Sequence, residues 1–231
     1  MLATIHWNVD PILLDLGPLQ LRYYGLCFAA CIYTAFGLWH REALRNGHSL
    51  KFADDFLWYG VLGTLIGARL GHCLFYEPER YLSNPIEILY FWKGGLASHG
   101  STAALIFSVW LFSRVHKVTF MRSADMVSPG IALAAGWVRI GNFFNSEIVG
   151  RPTDLPWAVV FERYDGTPRH PTAFYEVLMG IVAFLIIAAI RRREIRRAGS
   201  GLYFGLFMAV YFSFRFLVEF FKARQVGKII A

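Results

Sequence analysis

Two apolar stretches, residues 171–190 and 201–221, dominate the pattern along the chain. Each matches the ~20 helical residues that cross a ~30 Å hydrocarbon core. Four further apolar segments, at about 22–40, 54–76, 96–113 and 124–144, bring the candidate spans to six. The second, third and fourth each carry Gly, Ser or a charge, which predicts faces turned toward protein or a wet cavity rather than acyl chains. Residues 146–170 are too polar to cross and are punctuated by Pro152, Pro156, Asp165-Gly166 and Pro168, so they read as an extramembrane arm. The expected fold is an all-α polytopic membrane protein, one integral membrane domain over residues 1–231 with six transmembrane helices. Met1 to Leu21 has no basic start and is interrupted by Asp10, Pro11, Asp15, Gly17 and Pro18, so no cleaved signal peptide is expected.

Composition agrees with a membrane protein. Of 231 residues, 56% are hydrophobic and only 17% charged, and the mean hydropathy is +0.42. Disorder, collagen and coiled coil are excluded. The net charge of +7 raises nucleic acid as a partner, but the basic residues lie in short runs between apolar segments, so topology accounts for them and no nucleic-acid partner is expected. One set of alternate loops holds eleven Lys and Arg, from Arg41 to Arg197, and the opposite set six, from Arg22 to Arg169. The richer side is expected in the cytoplasm, which puts the N-terminus, residues 77–95 and the 146–170 arm outside. Tyr76, Tyr81, Tyr90, Phe91 and Trp92 then form an interfacial aromatic belt. The tail basics Lys222, Arg224 and Lys228 would also lie outside, against the rule, and a seventh span would repair it. Cys27, Cys31 and Cys73 sit inside apolar segments and read as small buried residues.

Three arginines remain within spans: Arg69, Arg139 and Arg215. A guanidinium at a helix centre costs ~2.5–3.5 kcal/mol even on gentle insertion scales, so each should face the bundle interior and meet a carboxylate, a carbonyl or an anionic ligand. Structural ion pairing is the plain alternative. Tyr211, Arg215 and Glu219 follow i, i+4, i+8 spacing and form one polar stripe. Arg139 and Asn142 are i, i+3 neighbours, with Ser146 and Glu147 continuing near that face. On the second span, Gly63, Gly67 and Gly71 at four-residue spacing predict close approach of another helix. Arg69 shares that span with His72 and reads equally as a structural tie or a ligand contact.

Residues 92–101, Trp-Lys-Gly-Gly-Leu-Ala-Ser-His-Gly-Ser, bring a glycine-bearing loop into the third span. His99 falls in its first turn, where backbone N–H groups disfavour an imidazolium, so the ring can stay neutral and act as a base; a purely structural histidine is the plain alternative. His170-Pro171 is a weaker candidate, because a helix start explains it. Nucleotide-loop, zinc and serine-hydrolase motifs are absent, so the expectation is chemistry on a lipid anion with neither metal nor cofactor.

The segment Val138-Arg139-Ile140-Gly141-Asn142-Phe143-Phe144-Asn145-Ser146-Glu147-Ile148-Val149-Gly150-Arg151 closely resembles the signature of bacterial prolipoprotein diacylglyceryl transferases. The resemblance extends in order to Tyr23-Tyr24-Gly25-Leu26, Gly67-Ala68-Arg69, the Gly-Gly-x-x-x-His-Gly segment ending at Gly100, Pro168-Arg169-His170-Pro171, and Arg215-Phe216-Leu217-Val218-Glu219-Phe220-Phe221. It implies transfer of the diacylglyceryl group of phosphatidylglycerol to the lipobox cysteine of a preprolipoprotein, at the outer leaflet of the bacterial cytoplasmic membrane. It also implies seven spans, one more than the six read here. By the same resemblance His99 is the base, Arg139 and Arg215 bind the lipid phosphate and support catalysis, and Tyr24, Arg69, Asn142, Glu147, Gly150 and Tyr211 line the substrate site. Ser101, Val138 and Ser146 stand where the family usually has glycine. Two other functions fit the residues. One is an anion or lipid-headgroup transporter, against which no internal repeat is found, and the other a lipid-binding relative that transfers nothing.

Overall fold

The computed structural model describes residues 5–17, 20–90, 95, 97–193 and 199–223. The protein is mostly helical. The expected spans fall on α1 (Tyr23–Arg45), α2 (Leu50–Phe75), α4 (Ser98–Val115), α5 (Phe120–Phe144), α6 (Thr172–Arg193) and α7 (Leu202–Glu219), with a short α3 (Pro78–Ser83) between α2 and α4. Among the described residues, Thr172–Arg192 and Leu202–Glu219 are long and apolar enough to cross a membrane. The other long helices carry the small, polar and charged residues that lower their hydropathy.

Among the described residues, five short strands accompany the helices. β1 (Ile5–Trp7) pairs in parallel with β4 (Val159–Phe161), and β4 pairs antiparallel with β5 (Pro168–Arg169). β2 (Ile12–Asp15) and β3 (Gln20–Arg22) form an antiparallel pair, with Gly17 at φ 80° and its N–H donated to the Asp15 carboxylate at 2.9 Å. Runs this short leave no readable alternation, and β1 finds its partner more than a hundred residues away.

The chain forms two compact units whose boundaries fall inside α1 and α5. The first draws on Met1–Leu38, Val127–Arg196 and Leu202–Ala231, the second on Trp39–Met126 and Arg197–Gly201.

Close backbone approach organises the first unit. A Cβ at Gly130 would lie 2.9 Å from the Ala35 carbonyl oxygen, and one at Gly180 would lie 2.5 Å from that of Ala132. Small residues thus let α5 seat against α1 on one side and α6 on the other. At the end of α5, Phe143 is the hub of a core formed with Val149, Val159, Phe161 and Ala173, with Trp7 packed against it. Its ring centroid lies 4.4 Å from those of Trp7 and Phe174. This core anchors residues 146–170 to the end of the helix that carries Arg139 and Asn142.

In the second unit the glycine spacing of α2 does what it predicts. Cβ atoms added at Gly67 and Gly71 would fall 2.6 Å and 2.7 Å from backbone atoms of Gly100, and one at Gly63 would fall 1.9 Å from the Ser108 hydroxyl. The Ala97 N–H donates to the Ala68 carbonyl at 2.9 Å and fixes where α4 starts. At the other end of these helices, fully buried Trp39 stacks on Phe56 at 3.9 Å and donates its indole N–H to the Ala53 carbonyl at 3.0 Å.

Candidate functional site

An ionised carboxylate inside an apolar helix is costly unless positive groups surround it. Glu176, in the second turn of α6, has only 1% of its side chain exposed. Three cations from separate segments converge on it: Arg139 from α5 through Nε, Arg215 from α7 through Nη1, and Lys222 through Nζ just past α7. Glu219, one helical turn after Arg215, adds a more exposed carboxylate 3.3 Å from Arg215 Nη1 and 3.5 Å from Lys222 Nζ. Two of the three arginines singled out from sequence, Arg139 and Arg215, therefore meet at one carboxylate, and the Arg215–Glu219 part of the stripe forms as its spacing predicts.

The Arg139 fork extends the cluster. Its Nη1 donates to Asn142 Oδ1 at 3.2 Å, and Asn142 Nδ2 donates to Glu147 Oε2 at 2.8 Å. Glu147 Oε1 accepts from Asn145 Nδ2 at 3.1 Å. Tyr211, one turn before Arg215, interacts electrostatically with Arg139, Glu176 and Arg215. Tyr24 packs over Gly141, where a Cβ would meet its ring at 2.8 Å, and interacts electrostatically with Glu147 and Arg139. The turn that aims Glu147 is strained, with Ser146 at φ 54° and Ile148 at φ 53°. A β-branched residue rarely adopts that conformation, and such strain concentrates at working sites.

Gly150 shows why a glycine stands in this segment. Its N–H donates to the His170 carbonyl at 3.0 Å, and the Arg151 N–H donates to the Phe221 carbonyl at 2.8 Å. Gly150 and Lys222 form an antiparallel bridge. A Cβ here would lie 2.4 Å from the His170 carbonyl oxygen and 2.9 Å from that of Phe221, both backbone atoms that cannot swing away. Gly150→Ala is expected to spread this backbone clamp, displace Lys222 and leave less than a tenth of the normal activity, which a turnover assay on purified protein checks. His170 mainly serves the clamp. Its Nδ1 is 3.0 Å from the Tyr175 hydroxyl, and burial lowers its pKa, which favours the neutral ring. Beside it, Arg169 pairs with Asp165 and donates through Nη1 to the Gly150 carbonyl at 2.9 Å. Its guanidinium also holds the Asp165 carboxyl below the usual carboxylate range.

Arg69 and His99 belong to the second unit. Arg69 is buried, donates to the carbonyls of Ile88 at 2.9 Å, Glu87 at 2.6 Å and Gly95 at 3.2 Å, and lies over the Tyr81 ring. It grips the residues that lead into α4, where Gly95 turns at φ 74° against the His72 ring. His99 is exposed in the first turn of α4, where its loop predicts it. Phe91 to Gly94 and Leu96 of that loop, Arg196 and Arg197, and the tail basics Arg224 and Lys228 lie outside the described residues.

The sequence model of the prolipoprotein diacylglyceryl transferases matches residues 11–230. The chain belongs to this family. Relatives named phosphatidylglycerol–prolipoprotein diacylglyceryl transferase include one from Tolumonas auensis, 42% identical over 96% of this chain and 86% of its own length. Another, from Bacteroides fragilis, is 40% identical over 98% of this chain and 86% of its own length. A third, from Cupriavidus metallidurans, is 41% identical over 94% and 82%.

Sequence reasoning missed two of the residues that build this cluster, Glu176 and Lys222. Glu176 does leave a signal in the sequence, a lone carboxylate inside the most apolar stretch. Lys222 was sorted with the tail basics because it follows the last helix. The structure instead buries it to 7% exposure.

Proposed function

We propose that this protein transfers the diacylglyceryl group of phosphatidylglycerol to the thiol of the lipobox cysteine of a preprolipoprotein, the first step of lipoprotein maturation. The observation that carries the reading is the convergence of Arg139 and Arg215 on one buried carboxylate, in a chain of this family. A cluster that already gathers an anion is suited to a phosphodiester, because guanidiniums neutralise a phosphate and stabilise it as it leaves.

In the reaction, the cysteine sulfur attacks the glycerol carbon that carries the phosphate ester. The C–S bond forms, the C–O bond breaks, and its electron pair stays on the phosphate oxygen, so glycerol phosphate departs. His99 takes the thiol proton. Arg139 and Arg215 bind the phosphate and compensate the charge that grows on it. Tyr24, Arg69, Asn142, Glu147, Gly150 and Tyr211 line the lipid site. Neither a metal nor a cofactor enters the scheme. The chain acts as one integral domain of the bacterial cytoplasmic membrane with six helices across the bilayer. The 146–170 arm lies on the extracytoplasmic side and the site faces the outer leaflet.

Purified protein in detergent, labelled phosphatidylglycerol and a lipobox peptide test the reading. Label on the peptide cysteine is the expected result. Label taken up without transfer would replace the reading by a headgroup transporter, and lipid binding alone would replace it by a relative that does not catalyse.

A further inference from the structure

We propose that Lys222 is a third phosphate-binding cation, placed by Glu176 beside Arg139 and Arg215. The assignment rests on the phosphatidylglycerol reading above and names a residue for that site which the family signature residues do not include.

Three observations carry it. Lys222 is buried although it follows the last helix, and its ammonium reaches the same carboxylate as both guanidiniums. A buried lysine normally loses its charge or finds a partner; here the partner is one it shares with the two arginines. The placement is also rigid. Two backbone hydrogen bonds and one from a side chain lock residues 221–223 to 149–151: Arg151 N–H to the Phe221 carbonyl at 2.8 Å, Ala223 N–H to the Val149 carbonyl at 3.2 Å, and the Arg151 side chain through Nε to the Lys222 carbonyl at 3.1 Å. The Lys222 backbone therefore belongs to the same clamp as Gly150, and its ammonium is held beside the cluster.

The charges around the shared carboxylate point the same way. Three cations meet Glu176 and Glu219 directly, one positive charge in excess of those two carboxylates. A phosphodiester brings one negative charge and two unesterified oxygens. That charge balances the excess and the two oxygens meet the convergent donors, while Glu176 acts as the positioning anion that keeps the donors together until the lipid arrives. Lysine suits the third place because it meets phosphate as a point charge on a flexible stem, without the planar fork that Arg139 uses toward Asn142.

The test compares Lys222→Met and Lys222→Arg with the unmodified protein. Two readouts are taken: the Kd for short-chain phosphatidylglycerol in zwitterionic detergent, and transfer to a lipobox peptide at varied concentrations of lipid and of peptide. Both variants keep the backbone clamp, which uses no Lys222 side-chain atom. Lys222→Met is expected to weaken lipid binding and raise the KM for phosphatidylglycerol about tenfold or more. The KM for peptide stays within about threefold, and Lys222→Arg recovers most of the lipid affinity. An unchanged Kd for phosphatidylglycerol in Lys222→Met, or an equal loss in Lys222→Arg, overturns the assignment. Absence of transfer by the unmodified protein overturns the transferase reading instead, and the Kd comparison still decides the place of Lys222.

Discussion

Arg139→Ala and Arg215→Ala each reduce diacylglyceryl transfer by about a hundredfold or more while the protein remains folded. The catalytic loss follows from electrostatics. A preorganised donor aimed at developing charge typically contributes about 10²–10³ in rate, and a guanidinium in a water-poor site lies at the upper end. Retention of the fold follows from redundancy at Glu176. Truncating one arginine leaves the carboxylate with the other and with Lys222, so no buried charge is stranded. Lysine at position 139 does not restore activity, because Nε and Nη1 of Arg139 serve Glu176 and Asn142 at once and an ammonium cannot reproduce that fork. Lipid labelling of a lipobox peptide checks both variants beside a thermal melt. Near-normal transfer by both would remove these residues from the mechanism.

The reach of the sequence varied with the distance over which each feature is built. Close approach of a helix to α2 is readable because its cause is local, glycines four residues apart making a smooth stripe, whereas its partner, Gly100 of α4, is known only from the structure. The chain from Arg139 through Asn142 to Glu147 was readable for the same reason, as helical neighbours continuing into one turn. Glu176 was not. α6 is apolar around its whole circumference, so no polar face marked the carboxylate, and its partners come from α5, from α7 and from beyond α7. The sheet of β1, β4 and β5 escaped for a related reason. Its strands are two or three residues long and their pairing joins the N-terminus to the arm, so neither alternation nor turn chemistry announces it. The clamp that places Lys222 is also a long-range pairing, which is why the residue read as tail.

Glu176→Ala has the largest expected effect on stability, and its direction distinguishes a site waiting for an anion from an ordinary ion pair. Removing the carboxylate leaves Arg139, Arg215 and Lys222 facing one another, with Glu219 as the nearest remaining compensation for the last two. Breaking a buried pair from one side costs about 3–5 kcal/mol, and for a chain of this size that corresponds to a fall of roughly 10 °C in melting temperature. Glu176→Gln keeps the shape and still accepts hydrogen bonds, so it loses less stability, but it no longer gathers the cations and transfers slowly. If the cluster is built for a phosphodiester, the lipid substitutes for the missing carboxylate. Glu176→Ala melts higher in micelles containing phosphatidylglycerol than in purely zwitterionic ones, by more than the unmodified protein does, since a ligand that binds only the folded state stabilises it by mass action. Equal shifts for the two proteins would mean that the headgroup never reaches the three cations, and the carboxylate would then be a structural counter-ion alone.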